Sequence, residues 1–227
     1  MSSWQTYWAQ RSDGGHRSQT EAFLEKEAAE KLFHLGHGEA LLDLGCGSAD
    51  LLVYYARAFT RTVGADFSQS MLVNARARAN AFRSSVELVE ADDLTVWEKV
   101  AGSFDRITAG QVVQYLTPEQ LAGFLQTARG RLVAGGSVVL FDVIDPRIYA
   151  LSELQLFEQR SLPQRVRRVF DVALSRGLAR IQGSHREIGY RYPGYELEAI
   201  AAACGFTFEM TWSMYYEYRY HAILVPR

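Results

Sequence analysis

From residue 40 onward, short apolar runs alternate with longer segments whose apolar residues recur at helical spacing. The runs predict five strands: Ala40–Leu44, Thr62–Asp66, Val86–Glu90, Asp105–Ala109 and Ser137–Val143. Helices are predicted between them, among which are Asp50–Phe59 and Ser68–Ala81. Because apolar strands alternate with helices, we expect an α/β, Rossmann-like fold with a mostly parallel sheet and helices on both faces.

The end of the chain carries a different strand signal. The helix before the fifth strand begins with a capping box, in which Thr117 precedes Pro118 and Gln120 follows three residues later. Near the C-terminus, too few residues for a helical crossover separate the predicted strands Phe206–Trp212 and Tyr218–Val225. We therefore expect a seven-stranded sheet that ends in an antiparallel hairpin.

The N-terminal segment is predicted to be helical and to lie outside the sheet. Residues 18–35 place apolar side chains on one broad stripe: Ala22, Phe23, Ala28, Ala29, Leu32 and Phe33. We expect a single domain over residues 1–227, in which residues 1–37 form a helical cover.

A second segment interrupts the alternation after the fifth strand. Residues 149–162 and 164–176 are predicted as two helices, and we expect residues 147–192 to form a helical lid inserted between strands five and six. Some of its apolar side chains predict a face that covers the tip of the sheet: Leu151, Leu154, Phe157, Val166 and Phe170. The segment between residues 147 and 191 also holds nine arginines against four acidic residues. Since guanidinium groups bind carboxylate and phosphate in a bidentate manner, these arginines favour an anionic or glycosylated acceptor, with a solvated helix face as the alternative.

The composition excludes several classes of protein. In 227 residues, 24 Lys and Arg face 26 Asp and Glu, so the net charge of −2 provides no field of the kind that binds nucleic acid. Two cysteines are too few for a disulfide framework or a zinc site, and we expect no metal. The N-terminus lacks the pattern of a secretory signal, and no apolar run approaches the roughly 20 residues of a membrane span. We therefore expect a cytoplasmic protein, either a monomer or a homodimer.

The candidate chemistry is concentrated in the turn that follows the first strand. Residues 41–49 read LLDLGCGSA, in which Gly45 and Gly47 allow positive φ and a close approach of a ligand to the backbone. Asp66, at the end of the second strand, is placed to accept hydrogen bonds from two ribose hydroxyls, or to cap the helix that begins near Ser68. The pattern predicts a nucleoside site.

A nicotinamide dinucleotide is the main competing ligand, because its fingerprint uses a similar turn and ribose acid. That fingerprint requires glycine where this chain has Asp50. Hydride-transferring enzymes of this size would also be expected to carry a Tyr-x-x-x-Lys pair, and no tyrosine here has a lysine four residues later. The dinucleotide interpretation is therefore disfavoured.

Five parallel strands, the glycine turn and the terminal hairpin together resemble the class I S-adenosylmethionine-dependent methyltransferases of small-molecule type. The resemblance covers roughly residues 38–145 and 193–226, and it implies S-adenosylmethionine as the cofactor. It implies that Asp66 binds the ribose and that Asp92 accepts a hydrogen bond from the adenine amino group. The resemblance assigns further residues to the cofactor: Asp43, Gly45, Cys46, Gly47, Phe67, Met71, Asp93, Leu94, Ala109 and Gln111, with Tyr7, Trp8 and Arg11 from the cover.

One residue of the turn departs from the family's glycine motif, and another carries a thiol. Ala49 stands where the family usually has its third glycine, and the resemblance implies that one methyl is tolerated because that position serves strand–helix packing. Cys46 is interpreted as a turn residue whose backbone matters, rather than as a catalytic thiol.

Methylation of a hydroxyl requires that the acceptor be held close to the methyl donor and that a proton be removed. Open α/β sheets place their sites at the carboxyl ends of the strands, so Tyr115 and Asp142 are candidate catalytic residues, and His185 in the lid is a third. The chain lacks the Asp/Asn-Pro-Pro-Tyr/Phe signature of enzymes that methylate amino groups of nucleic acids, and it lacks the Pro-Cys nucleophile of those that methylate carbon 5 of pyrimidines. We therefore expect no nucleic-acid acceptor. The expected function is O-methylation of a small-molecule or glycan-type acceptor. The alternatives are a methyltransferase acting on a protein or lipid-linked glycan, and a non-catalytic cofactor-binding module.

Overall fold

A computed structural model describes residues 20–153, 161–164, 166–167, 169–171, 174 and 189–227. Seven strands form one sheet: β1 (Gly38–Leu44), β2 (Phe59–Asp66), β3 (Glu87–Glu90), β4 (Phe104–Gly110), β5 (Leu132–Ile144), β6 (Phe206–Trp212) and β7 (Arg219–Pro226). Their order across the sheet is β3-β2-β1-β4-β5-β7-β6. Strands β1 to β5 pair in parallel, whereas β7 is antiparallel to both β5 and β6. The predicted mostly parallel sheet with a terminal hairpin is confirmed.

Helices cover both faces of this sheet, as the sequence predicts. They are α1 (Glu21–Leu35), α2 (Leu52–Tyr55), α3 (Gln69–Ala81), α4 (Val96–Lys99), α5 (Pro118–Gly130), α6 (Pro146–Glu153) and α7 (Gly194–Ala203). Apolar side chains of α1, α2 and α3 form one buried cluster, and those of α4, α5 and α7 form a second, opposite cluster. Both clusters include alternate residues of the central strands, because successive side chains of a strand point to opposite faces.

The strand order places the functional edge of the sheet. Chain connections run from β1 outward to β2 and β3, and then return to β4 on the other side of β1. In an open α/β sheet, the crevice at such a reversal, outside the carboxyl ends of the strands, is where ligands bind. The glycine turn after β1 and the residues that follow β4 therefore lie at the expected binding edge.

The predicted start of α5 is confirmed, whereas the predicted length of α2 is wrong. The capping box of α5 is present, since the Thr117 hydroxyl accepts from the Gln120 amide at 3.1 Å and the Gln120 side chain accepts from the Thr117 amide at 2.9 Å. The helix predicted over Asp50–Phe59 is much shorter, because β2 already begins at Phe59. Phe59 and Arg61 pair with the start of β1, and that pairing leaves no room for further helical turns.

The predicted apolar stripe of α1 is confirmed for Ala28, and for Phe23 and Leu32 in part, but it is wrong for Ala22, Ala29 and Phe33, which are exposed. Phe33 is 85% exposed, and the face that packs on the sheet carries Leu24, Ala28 and Leu35 together with the charged residues Glu27 and Lys31. Hydrophobic periodicity treats a charged residue as solvent-facing, whereas charged side chains become buried when they are paired. The buried face of α1 is therefore partly ionic.

Strand β5 carries an irregularity at its carboxyl end. Its pairing with β7 shifts between Leu140 and Val143, where β5 has one residue more than its partner. Asp142 lies in this bulge with a φ of 58°, a left-handed conformation that is uncommon outside glycine. The bulge changes the direction of the chain at the binding edge.

Within the described part of the chain, no helix is long and apolar enough to cross a membrane.

Candidate functional site

The glycine turn is held in a conformation that its sequence demands. Gly45 has a φ of 72°, and a Cβ at this position would lie 2.2 Å from Cγ2 of Val112. Gly47 has a φ of 56° with open space beside it. Ala49 also has a positive φ, 61°, so the third position of the motif is constrained by backbone conformation in addition to packing. This is a correction to the expectation for Ala49, since an L-residue in that region is strained by about 1–2 kcal/mol.

Asp66 fastens this turn to the second strand. Its Oδ2 accepts from the Gly47 amide at 2.9 Å, and its Oδ1 accepts from the Ser68 amide at 2.8 Å. Asp66 therefore stabilises the start of α3, as the capping alternative predicts, and it also holds the glycine turn, whereas its binding of ribose hydroxyls stays a prediction. Burial raises the pKa of Asp66, and the hydrogen bonds from Ser68 and Gly47 oppose that shift.

The acidic pair after β3 forms the next part of the edge. Oδ1 of Asp92 accepts from the Thr95 hydroxyl at 2.7 Å and from the amides of Thr95 and Leu94 at 2.9 and 3.2 Å. Burial raises the pKa of Asp92, but the hydrogen bonds from Thr95 and Leu94 outweigh it and leave the pKa lowered. In Asp93 burial raises the pKa, and its Oδ2 is buried without a hydrogen-bond partner among the described residues. An orphaned acceptor here fits a donor on a bound ligand, such as an amino group.

The remaining residues assigned to the cofactor differ in exposure. Met71 and Ala109 are buried, Phe67 and Gln111 are half-buried, and Leu94 is exposed. Burial, followed by the charges of Asp66 and Asp43, raises the pKa of the Cys46 thiol well above its usual range. A thiol that stays protonated is a poor nucleophile, which agrees with a backbone role for Cys46.

A cleft opens between the glycine turn and the carboxyl ends of β4 and β5. Its lining includes four residues of the motifs or next to them: Asp43, Gly45, Cys46 and Gly110. It also includes four residues that the sequence did not indicate: Lys31, Leu51, Tyr55 and Phe141. The Gln111 amide donates to the Phe141 carbonyl at 3.0 Å, so the end of β4 is tied to β5 beside this cleft. We call this space the methionine-side cleft, after the moiety that the resemblance assigns to the glycine turn.

Behind the cleft lies a group of buried ionisable side chains, Glu27, Glu30, Lys31, Asp142 and His221, called the buried charge cluster below. Nζ of Lys31 lies 2.9 Å from Oδ2 of Asp142 and 3.1 Å from Oε1 of Glu27. Oε2 of Glu30 is 3.9 Å from the same nitrogen. Burial raises the pKa of Asp142, yet Lys31 and His221 lower it more, so the net shift is downward. No pattern in the sequence indicates this cluster, because its members come from α1, β5 and β7.

His221 connects two elements of the buried charge cluster. The Asp142 amide donates to Nδ1 of His221 at 3.1 Å. Nε2 of His221 lies 3.2 Å from Oε1 of Glu30. The imidazole therefore links α1 to the bulge of β5.

The three candidate catalytic residues have different positions. The Asp142 side chain is fully buried and paired with Lys31, a geometry that favours positioning over contact with an acceptor. Tyr115 is half-buried in a single 3₁₀ turn, Val113–Tyr115, just after β4. His185 and the cover residues Tyr7, Trp8 and Arg11 lie outside the described residues.

Three apolar side chains of the predicted lid that the structure describes do not pack on the sheet. Val166 is 48% exposed and Phe170 is 71% exposed, and Leu151 is exposed as well. Leu154 and Phe157 lie outside the described residues. Of the lid arginines, Arg147 is bound by the Asp145 carboxylate at 2.6 Å, so its charge is already neutralised. The expectation that these apolar side chains pack on the sheet is therefore wrong for the described ones.

Comparison with known proteins agrees with this geometry. Residues 41–136 match the sequence profile of a family described as "Methyltransferase domain". Carboxy-S-adenosyl-L-methionine synthase of Campylobacter concisus is 28% identical over 131 residues, which are 57% of this chain and 50% of that protein. Demethylmenaquinone methyltransferase of Tropheryma whipplei is 30% identical over 139 residues, which are 61% and 56% of the two chains. The chain spans about half the length of these curated relatives.

Solved structures share the fold over nearly the whole chain. The DhpI–SAH complex superposes with a TM-score of 0.65 at 14% identity, covering 97% of this chain and 94% of that one. At such low identity the likeness concerns the fold alone. Residues 41–136 are thus similar to a methyltransferase domain, and they lie in a chain with the fold of this solved structure.

Proposed function

We propose that this protein transfers a methyl group from S-adenosylmethionine to a small-molecule acceptor, with oxygen as the favoured acceptor atom. The observation that carries the proposal is the Asp66 carboxylate, which holds the Gly47 amide at the point where the strand order reverses. When bound, S-adenosylmethionine supplies a methyl group already activated on a sulfonium, so the protein has to bind, orient and exclude water.

The adenosine end of the proposed site lies along β2 and β3. Asp66 would turn its carboxylate toward the ribose hydroxyls, since its oxygens have acceptor capacity beyond the two amides that they bind. Asp92 and Asp93 would receive the adenine amino group. The hydrogen bonds described above for Asp92 all go to its Oδ1, which leaves its Oδ2 for a ligand, and Oδ2 of Asp93 is a buried acceptor without a described partner. Leu94 would contribute its backbone.

The methionine end would occupy the cleft beside Gly45. Asp43 lines this cleft with a carboxylate suited to an ammonium group, and Gly45 and Gly110 present backbone without a side chain. The hydrogen bond from the Gln111 amide to the Phe141 carbonyl would hold the end of β4 against β5 on the side of the cleft where the methyl group is transferred. Preorganisation of this kind reduces the entropy lost on binding.

The acceptor end is proposed from position and from the names of relatives. Tyr115 follows β4 at the edge where an acceptor would approach, and His185 in the lid is proposed as the group that removes the hydroxyl proton. A demethylmenaquinone methyltransferase acts, by its name, on a small molecule, which supports the same class of acceptor here. A protein or lipid-linked glycan acceptor is the alternative to be separated by experiment.

Calorimetric titration with S-adenosylmethionine and with S-adenosylhomocysteine tests the cofactor site. Asp66→Asn should weaken binding of both at least tenfold, since it removes the charge that faces the ribose hydroxyls and holds the Gly47 amide. Asp105→Asn is a matched control: its carboxylate also accepts two backbone amides, those of Glu39 and Ala40, but at the opposite edge of the sheet. Equal losses in the two variants, or no binding by the wild type, would contradict the proposal.

A second assay addresses the acceptor. The wild type is incubated with labelled methyl donor and a panel of hydroxylated, carboxylated and amino small molecules, with protein and lipid-linked glycan fractions in parallel. Label in an oxygen-containing small molecule, lost in His185→Gln with cofactor affinity retained, is the expected result. Label confined to a macromolecule would establish the alternative, and cofactor binding without label in any fraction would indicate a non-catalytic module.

A further inference from the structure

A row of apolar side chains in the predicted lid is exposed and has no part in the proposed function. Its members, called the lid stripe below, are Leu162, Val166, Val169, Phe170 and Leu174. The described residues between positions 162 and 174 are helical, and the five members stand at positions i, i+4, i+7, i+8 and i+12. This spacing places them on one face of a helix.

The exposure of the lid stripe indicates an interaction surface. Apolar side chains scattered singly over a surface need no explanation, whereas a contiguous exposed patch marks a site of interaction. Leu162 and Phe170 are 74% and 71% exposed, and the other three members are at least 48% exposed. Because the five side chains follow one another along one face, they form a patch, and transfer of that patch out of water would favour binding.

The charged residues that accompany the lid stripe are mostly positive. Residues 161–176 hold one aspartate, Asp171, and four arginines: Arg165, Arg167, Arg168 and Arg176. Of these, Arg167 and Asp171 are described, and both are exposed. At about 100° per residue, Arg167 flanks the lid stripe, whereas Asp171 lies on the opposite side of the helix. An apolar face flanked by guanidinium groups is thus presented to the surroundings.

This combination favours an anionic lipid surface over other partners. A helix of this kind lies at the boundary between headgroups and acyl chains, where apolar side chains leave water and guanidinium groups meet phosphate. A second copy of the lid would bring like charge, since residues 147–191 carry nine arginines against four acidic residues. Nucleic acid would engage the arginines through its phosphates and leave the lid stripe in water.

We propose that the lid stripe, with the arginines beside it, binds the protein to the surface of an anionic lipid bilayer. The five apolar side chains enter the headgroup boundary, and the helix that carries them lies along the surface. Binding of this kind grows with the apolar area that is buried and with the attraction between arginines and anionic lipid, so both contributions can be removed separately. The inference goes beyond the proposed function, because it concerns a surface of the lid and requires no cofactor.

Co-sedimentation of the full chain with lipid vesicles tests the inference. The wild type should bind vesicles of equimolar phosphatidylcholine and phosphatidylglycerol at least about tenfold more tightly than vesicles of phosphatidylcholine alone. Phe170→Ser combined with Leu174→Ser should weaken binding to the mixed vesicles at least about tenfold, since burial of one such side chain favours binding by about that factor. Arg167→Gln should weaken it about fivefold at low salt and less at high salt.

Two matched controls change similar side chains outside the lid. Phe33 is 85% exposed on α1, and Arg76 is exposed on α3. Phe33→Ser and Arg76→Gln should therefore bind the mixed vesicles as tightly as the wild type. All the substituted side chains are exposed, so the variants should fold, and circular dichroism checks that they do.

The outcomes separate a lipid surface from the other possible partners. A wild type that does not sediment with the mixed vesicles overturns the inference, and so does undiminished binding by the folded double variant. If the lid stripe joins two copies of the chain, sedimentation velocity shows a dimer that the double substitution dissociates, without vesicle binding. If the lid stripe closes over the acceptor, the double substitution lowers methyl transfer, again without vesicle binding. Both results overturn the inference, and neither bears on cofactor binding, which calorimetry measures separately.

Discussion

Replacing Lys31 with Met gives the most direct test of the ionic packing beneath α1. The side chain is completely buried and lies within 3.1 Å of two carboxylates, those of Glu27 and Asp142. Its removal leaves these carboxylates buried without their cation, a change that costs about 3–5 kcal/mol of folding free energy. Since domains are stable by only about 5–15 kcal/mol, the variant should lose a large part of its stability at neutral pH.

The pH dependence of this loss has a definite sign. In the wild type the Asp142 pKa is lowered, so the stability that its charge contributes is present above the unfolded pKa of about 3.9 and is lost as the pH falls through the folded value. Without Lys31, we expect burial to dominate and to raise the Asp142 pKa, so that protonation of Asp142 relieves the variant as the pH falls. The difference in unfolding free energy between wild type and variant should narrow by more than about 1 kcal/mol between pH 7.5 and pH 5.

Urea unfolding followed by tryptophan fluorescence at these two pH values measures both quantities. Lys26→Met is the matched control, because Lys26 is exposed on the same helix and its replacement should change stability by no more than about 0.5 kcal/mol. Similar losses for Lys26→Met and Lys31→Met, or a gap that widens on acidification, would refute the reasoning.

Two further predictions concern the glycine turn and the two cysteines. Gly45→Ala should destabilise the protein by about 2 kcal/mol or more in urea unfolding, because the new Cβ would meet Cγ2 of Val112 at 2.2 Å in a left-handed conformation. Gly47 has open space beside it, so Gly47→Ala should lower the unfolding free energy only by the cost of the left-handed conformation, about 1 kcal/mol. Equal losses in the two variants would argue against the contact with Val112. The thiols of Cys46 and Cys204, both buried and with raised pKa values, should react with an aromatic disulfide reagent at pH 8 only after unfolding, and rapid labelling of the native protein would contradict their burial.

The sequence was sufficient for features that depend on neighbours along the chain. Short apolar runs between turns located the seven strands, and the spacing of Thr117 and Gln120 located the start of α5. The short connection between β6 and β7 left an antiparallel pair as the only geometry available. The sequence also indicated that Asp66 belongs with the glycine turn, because a glycine turn followed by an acid at the end of the next strand is a pattern within a short stretch of chain.

Features that depend on pairing across the fold were not predictable. Lys31 and Glu27 read as solvent-facing residues of an amphipathic helix until β5 brings the Asp142 carboxylate to the same place. The start of β2 at Phe59 likewise depends on its pairing with β1. In both cases the deciding interaction joins distant parts of the chain, so no window along the sequence contains it.

Most departures from local rules occur together in space. Four described residues adopt positive φ without being glycine: Ala49 in the glycine turn, Gln111 directly after β4, Asp142 in the bulge of β5, and Arg83 between α3 and β3. The first three lie at the carboxyl edge of the sheet. Lys31 breaks the amphipathic pattern and lines the cleft at that same edge. Backbone strain and buried charge each lower stability, and an arrangement chosen for stability alone would place apolar residues and glycine there. Their concentration around one cleft indicates that the fold gives up stability there to hold fixed groups against a ligand, which is the pattern expected of a binding site.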